Sequence, residues 1–231
     1  MDDLTIIKLT QNKLPDCWVK YHQEKLLEAI WDSPLITISR LPMEGINIIQ
    51  TEPESSSNIY WQLLKGAKLA TTKYIAVAED DTLYSKEHFA FRPPDNCFAY
   101  NLTRWTTYTW GEPIYSLKNF IKTNAVLIAP RESVIEALEE RFAKYPHDME
   151  NIPLGMCGEI GFYEKELWVT PRKAIEFKTV EPVVQLDHDY FTGDNSAEWL
   201  KRRHTKKLWT IQAYDIPVWG RAEDVIRKMI W

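Results

Sequence analysis

The stretch YIAVAEDDTLY, residues 74–84, ends an apolar run abruptly in Glu79, Asp80 and Asp81. Three adjacent carboxylates at the mouth of a buried strand repel one another and are costly to take out of water. They are tolerable when solvated, when capping a turn, or when neutralised by a cation. Carboxylate oxygens suit hard divalent ions such as Mg²⁺ and Mn²⁺. Such an ion can bridge nucleotide phosphates and stabilise a departing diphosphate. The plainer role for Asp80 or Asp81 is to cap a turn or helix over 82–90.

Other residues carry possible chemistry. In GMCGEIGFYEKE, glycines at 155, 158 and 161 allow close backbone approach around Glu159, with Glu164 and Glu166 as the next candidates. His188 lies in VVQLDHDYF after another apolar piece, where Asp187 or Asp189 could orient its ring. The segment KRRHTKK, 201–207, reads either as a solvated charged face or as a phosphate-binding patch supplied by Lys201, Arg202 and Arg203. RWTTYTWGEP interleaves Arg104, Trp105, Tyr108 and Trp110. Part of it suits a strand with one packed face; Trp105, beside Arg104, is expected to contact an acceptor by stacking.

These residues need a scaffold. LTIIKL at 4–9 and LITIS at 35–39 read as strands, INIIQ at 46–50 as a shorter one. Residues 16–31 have near-helical apolar spacing, with Asp16 as the expected N-cap. A helix over about 58–70 places Ile59, Leu63, Leu64 and Ala67 on one face and Asn58 and Gln62 on another. YIAVA at 74–78 and NAVLIAP at 124–130 read as strands buried on both faces. A helix over about 133–143 is expected to carry a capping box of Ser133 and Glu136, and AEDVIRKMI at 222–230 closes the chain as a helix. Alternating strands and helices predict an α/β fold, one domain with a substrate-binding second half.

Composition sets bounds. The 231 residues suffice for one well-buried core, and 45% apolar with 26% charged residues excludes a disordered, collagen-like or coiled-coil chain. No apolar run reaches the length of a membrane span. MDDLTIIKL lacks the basic start of a secretory signal. Cys17, Cys97 and Cys157 lie far apart with no CxxC pair, which argues against a disulfide framework and predicts a cytoplasmic protein. A net charge of −5 excludes a wholly basic nucleic-acid binder but not a local patch. Ten tryptophans and eleven tyrosines suit sugar or base stacking as well as an aromatic core.

The stretch NIYWQLLKGAKLATTKYIAVAEDDTLY resembles the nucleotide-binding helix, strand and DxD-type motif of glycosyltransferase-A-fold enzymes. Glu79 and Asp81 hold the spacing of the two acids, with glutamate at the first position as a departure from the pattern. The resemblance continues through HFAFRPPDNCFAYNLTRW and NAVLIAPRESVIEALEERF and ends in IPVWGRAEDVI, which is similar to small bacterial and phage-type members. It covers roughly residues 4–230.

That resemblance implies a mixed, Rossmann-like central sheet flanked by helices. About 1–100 would form the half that binds a nucleotide-diphosphate sugar, a UDP sugar among them. About 101–231 would form the acceptor half and closing segment. It further implies Mn²⁺ or Mg²⁺ on Glu79, Asp81 and His188, with Asp80 near the ribose and Glu159 as the base of an inverting reaction. Thr10, Gln11, Asn12, Arg40, Asn58 and Gln62 would surround the donor nucleotide, and Lys201 and Arg202 would close over its diphosphate. The implied acceptor is a hydroxyl, on a hydroxymethylated DNA base or a glycan, and the setting is the cytoplasm, or a host's for a phage-encoded chain. Two other classes stay open. A sugar-nucleotide nucleotidyltransferase would need a glycine-rich segment after the first strand, where TQNKLPD has none. A catalytically silent sugar-nucleotide or glycan-binding module would keep the acids without turnover.

Overall fold

Residues 3–53, 55–145, 158–188 and 211–230 are described by the structure, a computed structural model. Its strands are Leu4–Leu9 (β1), Leu35–Ser39 (β2), Ile46–Ile49 (β3), Tyr74–Glu79 (β4), Thr82–Leu83 (β5), Cys97–Asn101 (β6) and Arg104–Tyr108 (β7). There follow Tyr115–Leu117 (β8), Leu127–Pro130 (β9), Lys173–Phe177 (β10), Val183–Asp187 (β11), Gln212–Ala213 (β12), Asp215–Ile216 (β13) and Gly220–Arg221 (β14). The helices are Asp16–Ile30 (α1), Ser56–Leu69 (α2), Lys86–Ala90 (α3), Arg131–Lys144 (α4) and Ala222–Ile230 (α5).

The main sheet has the order β10-β6-β9-β4-β1-β2-β3. Strands β4, β1, β2 and β3 run parallel, while β9 runs against both β4 and β6. The carboxyl ends of β1, β2, β4 and β6 therefore share one edge, and β9 begins there. Strand β1 sits between β2 and β4, so the chain leaves it on one side and returns on the other. That reversal is the topological switch point at which open α/β sheets bind ligands. β1 is buried along its whole length because helices cover both its faces. Ile7 meets α2 so closely that a Cβ on Gly66 would stand 2.6 Å from its Cγ2. Lys8, pointing the other way, donates to Gln23 of α1 at 2.5 Å. Helix α4 packs beside α2, with Trp61 and Phe142 stacked at 3.6 Å. The expected α/β class, a mixed central sheet flanked by helices, is the one present.

A second sheet, β12-β8-β7-β11-β5, hangs from the acidic end of β4. It has its own core, in which Trp18, Leu83, Tyr115, Val184 and Leu186 pack against Val225 and Met229 of α5. Three expected caps or boundaries differ. Pro15, not Asp16, precedes α1, and Asp16 is its first residue. Helix α4 starts at Arg131, straight after Pro130, which leaves Ser133 and Glu136 inside it rather than capping it. Residues Asn124–Val126 form a 3₁₀ turn before β9 begins. The turn after the acids is capped by Ser85, whose Oγ accepts from His88 N at 3.3 Å, so neither Asp80 nor Asp81 serves that purpose.

His88 is fully buried against Tyr84, Phe89 and Phe177, and burial lowers its pKa from 6.5 to about 3. The folded protein thus refuses a proton that the unfolded chain accepts below about pH 6.5. The stabilisation is full above pH 6.5 and is lost as pH falls towards 3, at about 1.4 kcal/mol per pH unit for each such group. His88→Phe is expected to flatten the fall of unfolding free energy between pH 6.5 and 4, measured by urea titration. A slope equal to wild type would contradict this.

Candidate functional site

The switch point gathers residues from three strand ends. Thr10 follows β1, and its Oγ1 donates to the Asp80 carboxylate after β4. The backbone oxygen of Asp80 accepts from Trp18 Nε1 at 2.7 Å. Gln11 Oε1 accepts from Arg40 Nε at 2.9 Å, which ties the loop after β1 to the loop after β2. Asn12, at a φ of +55°, accepts from the Arg40 and Leu41 amides through its Oδ1, at 2.8 and 3.0 Å. Thr10, Gln11, Asn12, Arg40 and Asp80 thus stand together. Asn58 and Gln62 do not join them. Both are buried, and both donate to Gln50 Oε1, at 2.8 and 3.0 Å, in an amide cluster behind the loops. Gln50 was the residue to find. It sits one position past β3, and a strand end gives no sign of what lies under it.

Beyond Asp80 the chain turns into β5, which pairs with β11, and Leu186 N donates to Asp81 O at 2.9 Å. This pairing carries Asp187 to the acids, with His188 the next residue along the chain. Asp81 is buried; its Oδ1 accepts from Thr82 Oγ1 at 2.7 Å and its Oδ2 from Gln185 Nε2 at 3.3 Å. Gln185 in turn accepts from Arg104. Arg104 was expected to face an acceptor. It is buried instead, close enough to Glu79, Asp81 and Asp187 to act as their countercharge, because β7 and β11 pair side by side. Trp105 packs on the second core rather than standing out as a platform. Lys201 and Arg202 lie outside the described residues.

The electrostatics are those of crowded acids. Burial, then the charges of Asp81 and Asp80, push Glu79 well above the usual carboxylate range. Burial lifts Asp80 to about 6, against the Thr10 hydrogen bond, and lifts Asp187 to about 7, with Asp81 adding to the rise. Arg104, Lys8 and Lys118 offset this only in part. Such a cluster holds protons or a cation. Its carboxylate donors fit Mn²⁺ and Mg²⁺. Among the described residues no three His, Cys, Asp or Glu side chains stand together in ligating geometry, so the donors are near one another without forming a finished site. Arg40 Nη2, Arg104 Nε and Asn124 Oδ1 are buried polar atoms without a hydrogen-bond partner among the described residues. Unsatisfied groups of this kind are uncommon in native interiors, and their position suits a polar ligand.

No protein-family model matches the chain, and no curated protein matches it in sequence. Among solved structures it is similar to a glycosyltransferase involved in the glycosylation of the major capsid of PBCV-1. The two are 10% identical, over 79% of this chain and 92% of that one, with a TM-score of 0.46. It is also similar to the mannosyltransferase PcManGT from Pyrobaculum calidifontis, solved in complex with GDP-Man and Mn²⁺. Here identity is 13% over 87% of this chain and 60% of that one, TM-score 0.48. The bifunctional IspDF from Campylobacter jejuni is 11% identical over 77% and 50%, TM-score 0.44. At these scores the likenesses are distant, and the site's own residues carry the functional reading.

Glu159 approaches from the other side of the mouth. It is half-buried, and burial raises its pKa while Arg104, Arg141 and the Asn124 amide oppose the rise. The segment that bears it is clamped. Arg141 of α4 donates to Gly158 O at 2.7 Å and pairs with Glu164 at 2.6 Å, both side chains being almost wholly buried. Glu164 also accepts from Gly161 N at 2.8 Å, and Tyr100 Oη donates to Ile160 O at 2.8 Å. Gly161 has a φ of +96° and leaves only 2.5 Å between an added Cβ and Ala174 Cβ, so the turn requires glycine there. Glu164, a candidate acid in its own right, is therefore occupied in the clamp. Arg141→Met is expected to destabilise the fold by about 3–5 kcal/mol, because it strands a buried carboxylate. The double change Arg141→Met with Glu164→Gln should recover part of that loss in urea unfolding. A single variant as stable as wild type would contradict the clamp.

Proposed function

We propose that this chain is a metal-dependent glycosyltransferase of the glycosyltransferase-A type, moving a sugar from a nucleotide-diphosphate sugar to a hydroxyl with inversion. One observation carries the reading: an excess of carboxylate, Asp81 buried and Glu79, Asp80 and Asp187 half-buried, surrounds the buried Arg104 at the switch point where Thr10 meets Asp80. Glu79, Asp81 and His188 would hold Mn²⁺ or Mg²⁺, whose chemistry there is to neutralise the departing diphosphate. Asp80, held by Thr10, would take the ribose hydroxyls. Gln11, Asn12 and Arg40 would line the nucleoside, with the partnerless Arg40 Nη2 offered to it. Asn58 and Gln62 would support that wall through Gln50 rather than touch the donor. Arg104 would hold the acids in place, and Lys201 and Arg202 would meet the diphosphate.

Glu159 would remove the acceptor hydroxyl proton as the oxygen attacks the anomeric carbon and the diphosphate leaves. A carboxyl made more basic by burial, on a segment fixed at both neighbouring peptides, suits that task. The acceptor would be a hydroxymethylated DNA base or a soluble glycan, and the setting the cytoplasm. No helix among the described residues is long and apolar enough to cross a membrane. A steep fall of acceptor affinity with rising salt would mark DNA, and a flat response a glycan.

The test is a thermal-shift screen of nucleotide sugars with and without Mn²⁺. A ligand at 100 times its Kd stabilises the folded state by about 2.7 kcal/mol, so the true donor raises Tm, and only with the ion present. Asp81→Asn is expected to keep the wild-type fold and to lose both the shift and transfer. Donor binding without transfer or hydrolysis would favour the silent module, and unchanged turnover in Asp81→Asn would remove the metal assignment.

A further inference from the structure

A cavity of about 230 Å³ lies between α1, the start of α3 and the β13–β14 turn. Tyr21, Lys25, Glu28 and Ala29 line it from α1, at the i, i+4, i+7, i+8 spacing of a single helix face. Tyr84 also lines it, held in place by its hydroxyl. That hydroxyl accepts from Glu79 N at 2.9 Å and donates to Ala125 O at 2.8 Å. Trp219 closes another side, pinned by a 2.7 Å bond from its Nε1 to Pro182 O. Three aromatic residues thus line the space, two of them fixed by hydrogen bonds.

The charges around it cancel: Lys25 and Lys86 against Glu28 and Glu181. Lys25 is already paired with Glu28 at 2.7 Å, and Lys86 lies 3.5 Å over the Trp31 ring. The lining thus carries no net charge that would single out an anion or a cation. The volume is below the roughly 300–1,000 Å³ of ordinary small-molecule pockets, which excludes a nucleotide and admits one small ring. At the lip, Val218 stands at a φ of +73° and is largely exposed. For a β-branched residue that conformation is strained, and such strain concentrates at ligand clamps.

We propose that this cavity is a second binding site, for one neutral pyranose unit, with its apolar face on Tyr21 and Trp219 and its hydroxyls on Lys25, Glu28 and Glu181. Aromatic faces beside donors and acceptors of both signs match a ring that is apolar above and hydroxylated at its rim. The strained Val218 narrows the entrance. The site stands on the cavity's own residues, and its test reads binding rather than transfer, so it succeeds or fails separately from the proposed activity.

The experiment is saturation-transfer NMR and calorimetry of the full chain with methyl glucoside, methyl galactoside and methyl mannoside at millimolar concentration. Binding of at least one glycoside is expected. Glu28→Gln, on an exposed side chain that leaves the fold intact, should weaken it about fivefold or more, and Tyr21→Ala about tenfold or more. Val218→Asn, which tolerates the left-handed backbone, should raise Tm while weakening the glycoside. The proposal is overturned if no glycoside binds, if Glu28→Gln and Tyr21→Ala bind as wild type does, or if inorganic phosphate or adenosine monophosphate occupies the cavity in their place.

Discussion

Mutual repulsion among carboxylates at the end of β4 is the constraint on which the rest depends. Glu79, Asp80, Asp81 and Asp187 crowd into a space where burial alone already disfavours charge. The fold does not disperse them. It draws them closer, since β5 and β11 pair immediately beyond the acids. Among the described residues Arg104, Lys8 and Lys118 answer their charge, and Lys8 is itself buried enough for its own pKa to fall. A protein that wanted only a stable turn would spend neutral residues here. The arrangement makes physical sense when a cation completes it.

The surroundings serve the same end. β1 brings Thr10 to Asp80, the Asn12 and Gln11 contacts lash the β1 and β2 loops into one rim, and the reversed direction of β9 delivers Asn124 to the mouth. On the far side, Arg141 and Glu164 form a buried pair whose hydrogen bonds go to backbone on both sides of Glu159. Buried ion pairs contribute little net stability compared with apolar packing. Here the pair adds hydrogen bonds on both sides of Glu159 to the anchoring that buried Ile160 gives the segment.

Much of this was legible in the residues. The apolar runs of β1, β2 and β4 are long enough to force buried strands, and an acidic triplet after such a run stands out against it. The periodicity of α2 placed Asn58 and Gln62 on one face correctly. It could not say that this face meets Gln50 rather than a ligand, since the partner lies in the irregular segment between β3 and α2, where periodicity gives no side-chain direction. Arg104 was misjudged for a related reason. Alternation within one strand says which residues share a face, but not that β11 will lie alongside and put Asp187 near the guanidinium. The cap of α4 failed because Pro130 starts the helix without a side-chain cap.

Titration of the purified chain with Mn²⁺, following the electron paramagnetic resonance signal of the free ion, tests the central claim most directly. The account predicts that the wild-type chain removes one equivalent of Mn²⁺ from solution and that Glu79→Gln removes far less. Equal retention by the two proteins, or none by either, would contradict it.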